Sequence, residues 1–263
     1  ILMLAHAVGM GLKRKDGPLQ AITRQSGWEN LGYEIDADFR KIGSEAILRR
    51  PEKNSPHPIQ AELQPSDLIT HRSFASKSDE LEYVAEQVRA DVEKEGLKPE
   101  QVLVIPLSRS RRNGDSNRDY ISEKLAEQLE RHDITINAVW EENDKNFLNQ
   151  GEVTLAGINR AKGNEAGSVY VLGVDAVSEE IWRDNEVHRR NELFVALTRS
   201  RGWISATGAT PSSSIHSEFD SVIQDIDSTE PHISFEVPDS RDLSNELETD
   251  TEDLERTSLD EFV

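Results

Sequence analysis

Between residues 67 and 207 short apolar runs alternate with amphipathic stretches, and that alternation restricts the chain to α/β layers around a mostly parallel sheet. The run Val-Leu-Val-Ile-Pro-Leu at 102–107 has no polar residue, as a strand buried on both faces requires. Segments 68–72, 134–140, 153–158, 169–174 and 203–207 read as further strands. Between them lie helical patterns. Asp79 with Glu82 makes a capping box, and Leu81, Val84, Ala85, Val88 and Val92 then fall on one face. Gly96 and Pro99 stop that helix. Ser116 and Asp119 make a second box ahead of Ile121, Leu125 and Leu129, and a third helix is predicted over 189–201.

The flanks read differently. Residues 1–12 resemble the end of a helix weakened by Gly9 and Gly11. Residues 19–66 look like an irregular connection, with short strands over 33–35 and 46–48 among four prolines. Residues 213–263 carry 16 Asp or Glu against 2 Arg, most of the chain's net charge of −20. Phe219, Val222 and Ile226 could make one short helix there; the rest reads as disordered, for want of apolar surface to offset ordering entropy. The expected organisation is therefore a remnant over 1–66, a lobe over 67–212 and an acidic tail over 213–263, with the packed core ending near Ser212.

Composition excludes some chemistry. With no cysteine there is neither a disulfide framework nor a thiolate metal site, which fits a cytoplasmic protein. No apolar run reaches the roughly 18 residues of a membrane span, so no membrane partner is expected. The opening apolar stretch lacks the basic flank and cleavage site of a signal peptide, and a first residue of Ile fits a truncated N-terminus. The acidity argues little against nucleic acid, because most of it sits on a tail that need not touch the body.

No Gly-x-x-x-x-Gly-Lys-Ser/Thr loop occurs, and no apolar strand ends in an Asp-Glu pair that could hold Mg²⁺. The histidines, among them His6, His57, His71, His132 and His188, show no metal spacing. Two segments stand out. The first, 153–173, runs from a strand through a polar loop with Arg160, Lys162, Gly163 and Glu165 into another strand. Loops at the carboxyl ends of parallel strands are where such folds place ligands. The second, 191–201, reads Asn-Glu-Leu-Phe-Val-Ala-Leu-Thr-Arg-Ser-Arg. Taken singly, each has an ordinary explanation: an arginine at a helix end usually answers the dipole, a Lys-Gly loop is usually a turn, and the basic stretch 108–118 is usually solvated.

Taken in order, the two segments resemble motifs V and VI of UvrD-like superfamily I DNA helicases. Their patterns are a strand followed by His-Arg-Ala-Lys-Gly-Leu-Glu, and a helix carrying Val-Ala-Leu-Thr-Arg-Ala-Arg. The resemblance covers residues 1–210, loosely at the start and tightly over 153–207. It implies a RecA-like second motor lobe, fed by ATP and Mg²⁺ held mainly on a first lobe that this sequence lacks. Arg199 matches the arginine that reaches the γ-phosphate; Lys162, Gly163 and Glu165 match nucleotide-side positions. Thr154, Asn159 and Arg160 fall where the family touches single-stranded DNA. Gly157, Asn159 and Asn164 depart from the family's usual Thr, His and Leu, mainly on the nucleic-acid side. The implied partners are single-stranded DNA and the first lobe. An RNA-directed lobe and a non-enzymatic interaction module built on the same lobe are the alternatives. Alone, the chain is expected not to hydrolyse ATP.

Overall fold

A computed structural model describes residues 1–55, 59, 62–107, 117–140, 145–178, 186–241, 243 and 245–246. At its centre is a six-stranded, wholly parallel sheet of β4 (Ile69–Ser73), β5 (Val102–Pro106), β6 (Thr135–Val139), β7 (Glu152–Ala156), β8 (Ala166–Leu172) and β9 (Ser200–Gly208). The order across the sheet is β4-β9-β8-β5-β7-β6. β5 is buried at every position, as its unbroken apolar run requires, and the chain changes direction across the sheet on either side of it. This is the expected α/β architecture, in keeping with a RecA-like lobe.

Two helices cover one face. α4 (Lys77–Glu93) and α5 (Asn117–Glu130) pack Leu81, Val84, Val88, Ile121, Leu125 and Leu129 against Val102, Val104, Val153 and Leu155. The cap of α4 lies three residues earlier than the capping-box pattern suggests: Ser76 is the N-cap, and its hydroxyl accepts from the Asp79 amide at 3.2 Å. The second expected cap, Ser116, lies outside the described residues.

The other face carries α1 (Leu2–Met10), α7 (Glu186–Leu197) and α8 (Ser214–Ile226). Here the expected boundaries need correction at both ends. Residues 1–12 are no remnant: α1 buries every residue from Leu4 to Met10, and Gly9 lets it approach α7, where a Cβ would meet that of Phe194 at 3.0 Å. Nor does packing end near Ser212. α8 places Ile215, Phe219, Val222 and Ile226 in the core, and β10 (Ile233–Glu236) pairs antiparallel with β3 (Glu45–Arg49), which pairs with β2 (Glu34–Asp36). One apolar stripe with a strong helical period sufficed, whatever the acidity of its outward face. β1 (Gln20–Ala21) pairs in parallel with β11 (Asn245–Glu246). Residues 247–263, the remainder of the expected disordered tail, lie outside the described residues.

A fully buried arginine joins the three helices of this face. From α7, Arg190 donates to both carboxylate oxygens of Glu218 on α8 at 2.9 Å, to Glu186 at 2.8 Å and to the Val8 carbonyl of α1 at 2.6 Å. Burial works to lower its pKa, but the two glutamates outweigh that and raise it, so the guanidinium stays charged.

Candidate functional site

The two segments singled out in the sequence meet in space. α7 ends at Leu197, two residues turn, and β9 begins at Ser200. The helix predicted over 189–201 therefore starts three residues earlier and ends four residues earlier than expected, and Arg201 belongs to a strand. The first segment leaves the carboxyl end of β7, makes one helical turn, α6 (Ile158–Ala161), and descends to the amino end of β8. There the Ala166 amide donates to the Arg199 carbonyl at 3.0 Å. The loop is thus divided between the two ends of the sheet, where its position after β7 suggested the carboxyl end alone. Gly157–Ala161 stands at the carboxyl end, and Asn164 and Glu165 lie beside Arg199 at the amino end.

Arg199 is half-buried, and its guanidinium is held by neutral acceptors. Nε donates to the Val195 carbonyl at 2.9 Å, Nη2 to the Thr198 hydroxyl at 3.1 Å, and Nη1 reaches the Asn164 carbonyl at 3.5 Å. Among the described residues no carboxylate pairs with it. Arg201 differs: it is 70% exposed and faces Glu165 at 3.9 Å, a solvated pair of little energetic weight. Lys162 and Gly163 are exposed. Gly163 adopts φ +85°, with open space where a Cβ would stand, so its backbone lies open to a ligand. These residues could contribute positive charge and backbone groups to a phosphate held by another lobe. Among the described residues no group of three or more His, Asp or Glu is placed to hold a metal.

The expected nucleic-acid residues separate. Asn159 is exposed on α6. Arg160 is half-buried, and its Nη2 donates to the Lys145 carbonyl at 2.8 Å. Thr154 has no exposed surface, and its hydroxyl donates to the Phe147 carbonyl at 3.1 Å. This corrects its expected role: its side chain faces the connection between β6 and β7, and Asn137 grips the same stretch through the Asn146 carbonyl at 2.8 Å. The basic stretch at 108–116 follows β5 and lies outside the described residues.

A second polar cluster, which no sequence spacing announces, occupies the carboxyl end of β4 and β9. His71 on β4 bonds Asp220 at 2.8 Å through Nδ1 and His216 at 2.9 Å through Nε2; both partners are on α8. Asp175, on the turn after β8, accepts from the Ala209 amide at 3.0 Å and the Thr210 hydroxyl at 2.7 Å. Gly208 lets these groups converge, since a Cβ there would overlap both Asp175 and His216.

No family model matches the chain. No curated protein matches it either. Among solved structures, the C-terminal domain of a possible DNA helicase from Lactobacillus plantarum WCFS1 is similar at a TM-score of 0.42 and 13% identity, over 60% of this chain and 83% of that one. A likeness that low says nothing of function. Among the described residues no helix is long and apolar enough to cross a membrane.

Proposed function

We propose that this chain is the second motor lobe of an ATP-dependent, UvrD-like superfamily I DNA helicase, with Arg199 as its arginine finger. The observation that carries the reading is the meeting of two segments, motif V-like and motif VI-like, at one end of the sheet. Arg199 reaches the Asn164 carbonyl there, and among the described residues its charge is met by dipoles and no carboxylate. A guanidinium held this way is oriented without being neutralised, so an incoming phosphate meets a full positive charge.

In this reading the first lobe supplies the phosphate cradle and the Mg²⁺ carboxylates. ATP supplies the γ-phosphoryl group whose departure drives the motor. The residues of this lobe have simpler tasks. Arg199 stabilises charge on the departing phosphoryl group, and its anchors on Val195, Thr198 and Asn164 hold it in register. Lys162 and the Gly163 backbone line the same edge, with Glu165 beside them toward the nucleotide. At the opposite end Asn159 and the exposed part of Arg160 face single-stranded DNA, while Thr154 stiffens the wall behind them. Phosphate loss releases Arg199, the lobes part, and the strand is stepped.

The test is steady-state ATP turnover with single-stranded DNA, on the protein joined to its first lobe. Arg199→Ala should cost on the order of 10³-fold in rate with nucleotide binding largely kept. Arg201→Ala, which loses only an exposed pair with Glu165, should be mild. Near-normal turnover by Arg199→Ala, or a heavier loss from Arg201→Ala, would remove the basis for the assignment.

A further inference from the structure

The cluster on β4 and α8 plays no part in the proposed motor chemistry, yet it is closely constrained. His71 is stacked on Phe219 with ring centroids 4.8 Å apart and planes 7° from parallel. Its side chain is 4% exposed, whereas that of Asp220 is 72% exposed. His216 is buried, and its Nε2 has no hydrogen-bond partner. The proton inventory follows from the contacts. Exposed Asp220 is a carboxylate, so His71 donates to it from Nδ1 and, when neutral, offers a lone pair on Nε2. His216 must then donate from Nδ1 across the 2.9 Å gap. One added proton can sit on either ring without breaking this bond. A second cannot, because both facing nitrogens would carry hydrogen.

We propose that His71 and His216 form a one-proton latch on α8: the pair holds the helix on the sheet with at most one proton, and a second proton expels it. The charged groups facing the pair are few. From α8 comes Asp220; from the turn after β8 comes Asp175, already engaged by Ala209 and Thr210. β9 places Gly208 against the pair. Arg72, next on β4, lies over Tyr83 on the other face, and Glu218 on α8 is bound to Arg190. Asp175, held by neutral donors, keeps its charge near His216, whereas His71 has Asp220 as its one bonded carboxylate among the described residues. Burial accordingly lowers the pKa of His71, with Asp220 only partly offsetting it. Undocked, the two rings no longer face one another, and both can carry a second proton at once. Acid therefore favours release, because the undocked pair takes up at least one proton more than the docked pair can hold, on the order of tenfold per pH unit. Release would also withdraw Glu218 from Arg190, so the latch governs the whole three-helix face.

The test uses the full chain, with α8 amide signals and imidazole nitrogen signals followed by NMR from pH 7.5 downward. The latch predicts that wild-type α8 signals are lost together, in a transition of at least about tenfold per pH unit, and that no docked species shows both rings charged. His216→Asn keeps a donor near the Nδ1 position but cannot titrate; its transition should be shallower and displaced to lower pH. Asp220→Asn removes the compensating charge and should displace it to higher pH. Two charged rings in a chain whose α8 signals persist would overturn the proposal, and so would a His216→Asn profile superimposable on wild type. Should either variant fail to fold, the wild-type titration decides alone.

Discussion

Two arginines nine residues apart, one inside α7 and one just past its end, serve opposite ends of the same logic: Arg190 is enclosed by carboxylates, and Arg199 is held by dipoles. Removing one partner of a buried pair leaves the other charge stranded, which is costlier than removing both. Glu218→Leu should therefore lower stability by about 3–5 kcal/mol. Adding Arg190→Met should recover a large part of that, although the bonds to Val8 and Glu186 go with it. Urea unfolding of both variants measures the difference; a double variant weaker than Glu218→Leu would show that the bonds to α1 and Glu186 outweigh the pair. Residue identities singled out Arg199 as a candidate, because its neighbours form a recognisable string. They could not announce Glu218 as the mate of Arg190 or His216 as the mate of His71, since only the docked α8 brings these side chains together.

At the scale of elements, α8 is the case where composition misled and periodicity was right. Its outward face is acidic and polar, so a composition average over 213–263 conceals the stripe of Ile215, Phe219, Val222 and Ile226. Phe219 is fully buried between the core and the His71 ring, and Phe219→Ala should cost about 3–5 kcal/mol. Ending the chain after Ser212 removes the whole stripe and strands Arg190. That product should be insoluble or lack a cooperative thermal transition, where the tail reading requires a stable core; a calorimetric scan distinguishes the two. The strands were more legible. β5 has no polar residue to place, and β7 and β8 flank a loop whose glycine and charges mark it. The descent of that loop to the amino end of β8 was not legible, because it depends on α6 stopping after one turn.

For the molecule as a whole, the acid limb of stability should carry the mark of His6. This side chain from α1 bonds the Tyr33 hydroxyl at 2.8 Å, and burial, helped by Arg50, lowers its pKa to about 4. The unfolded chain takes up this proton near 6.5 and the folded chain does not, so stability is full above about 6.5 and falls as pH drops toward 4, by on the order of 3 kcal/mol. Asp91, raised by burial, acts in the opposite sense. Comparing wild type with His6→Asn in urea at pH 7 and pH 4.5 isolates the histidine, and the variant should lose less stability on acidification. An equal loss in both would place the acid sensitivity elsewhere.

The bonds between the first and last segments have a consequence for how the chain is made. Arg190 reaches back 182 residues to Val8, and Lys13 reaches forward 221 residues to Ser234. At a synthesis rate of about 5–20 residues per second, α1 has left the ribosome for on the order of 10–40 seconds before its partner on α7 is made, and longer before α8 follows. Throughout that interval a nearly continuous apolar helix lacks the two helices it is packed against in the folded chain. The segment that carries α1 must be guarded until α7 and α8 arrive, and the speed of translation becomes one of the conditions of its folding.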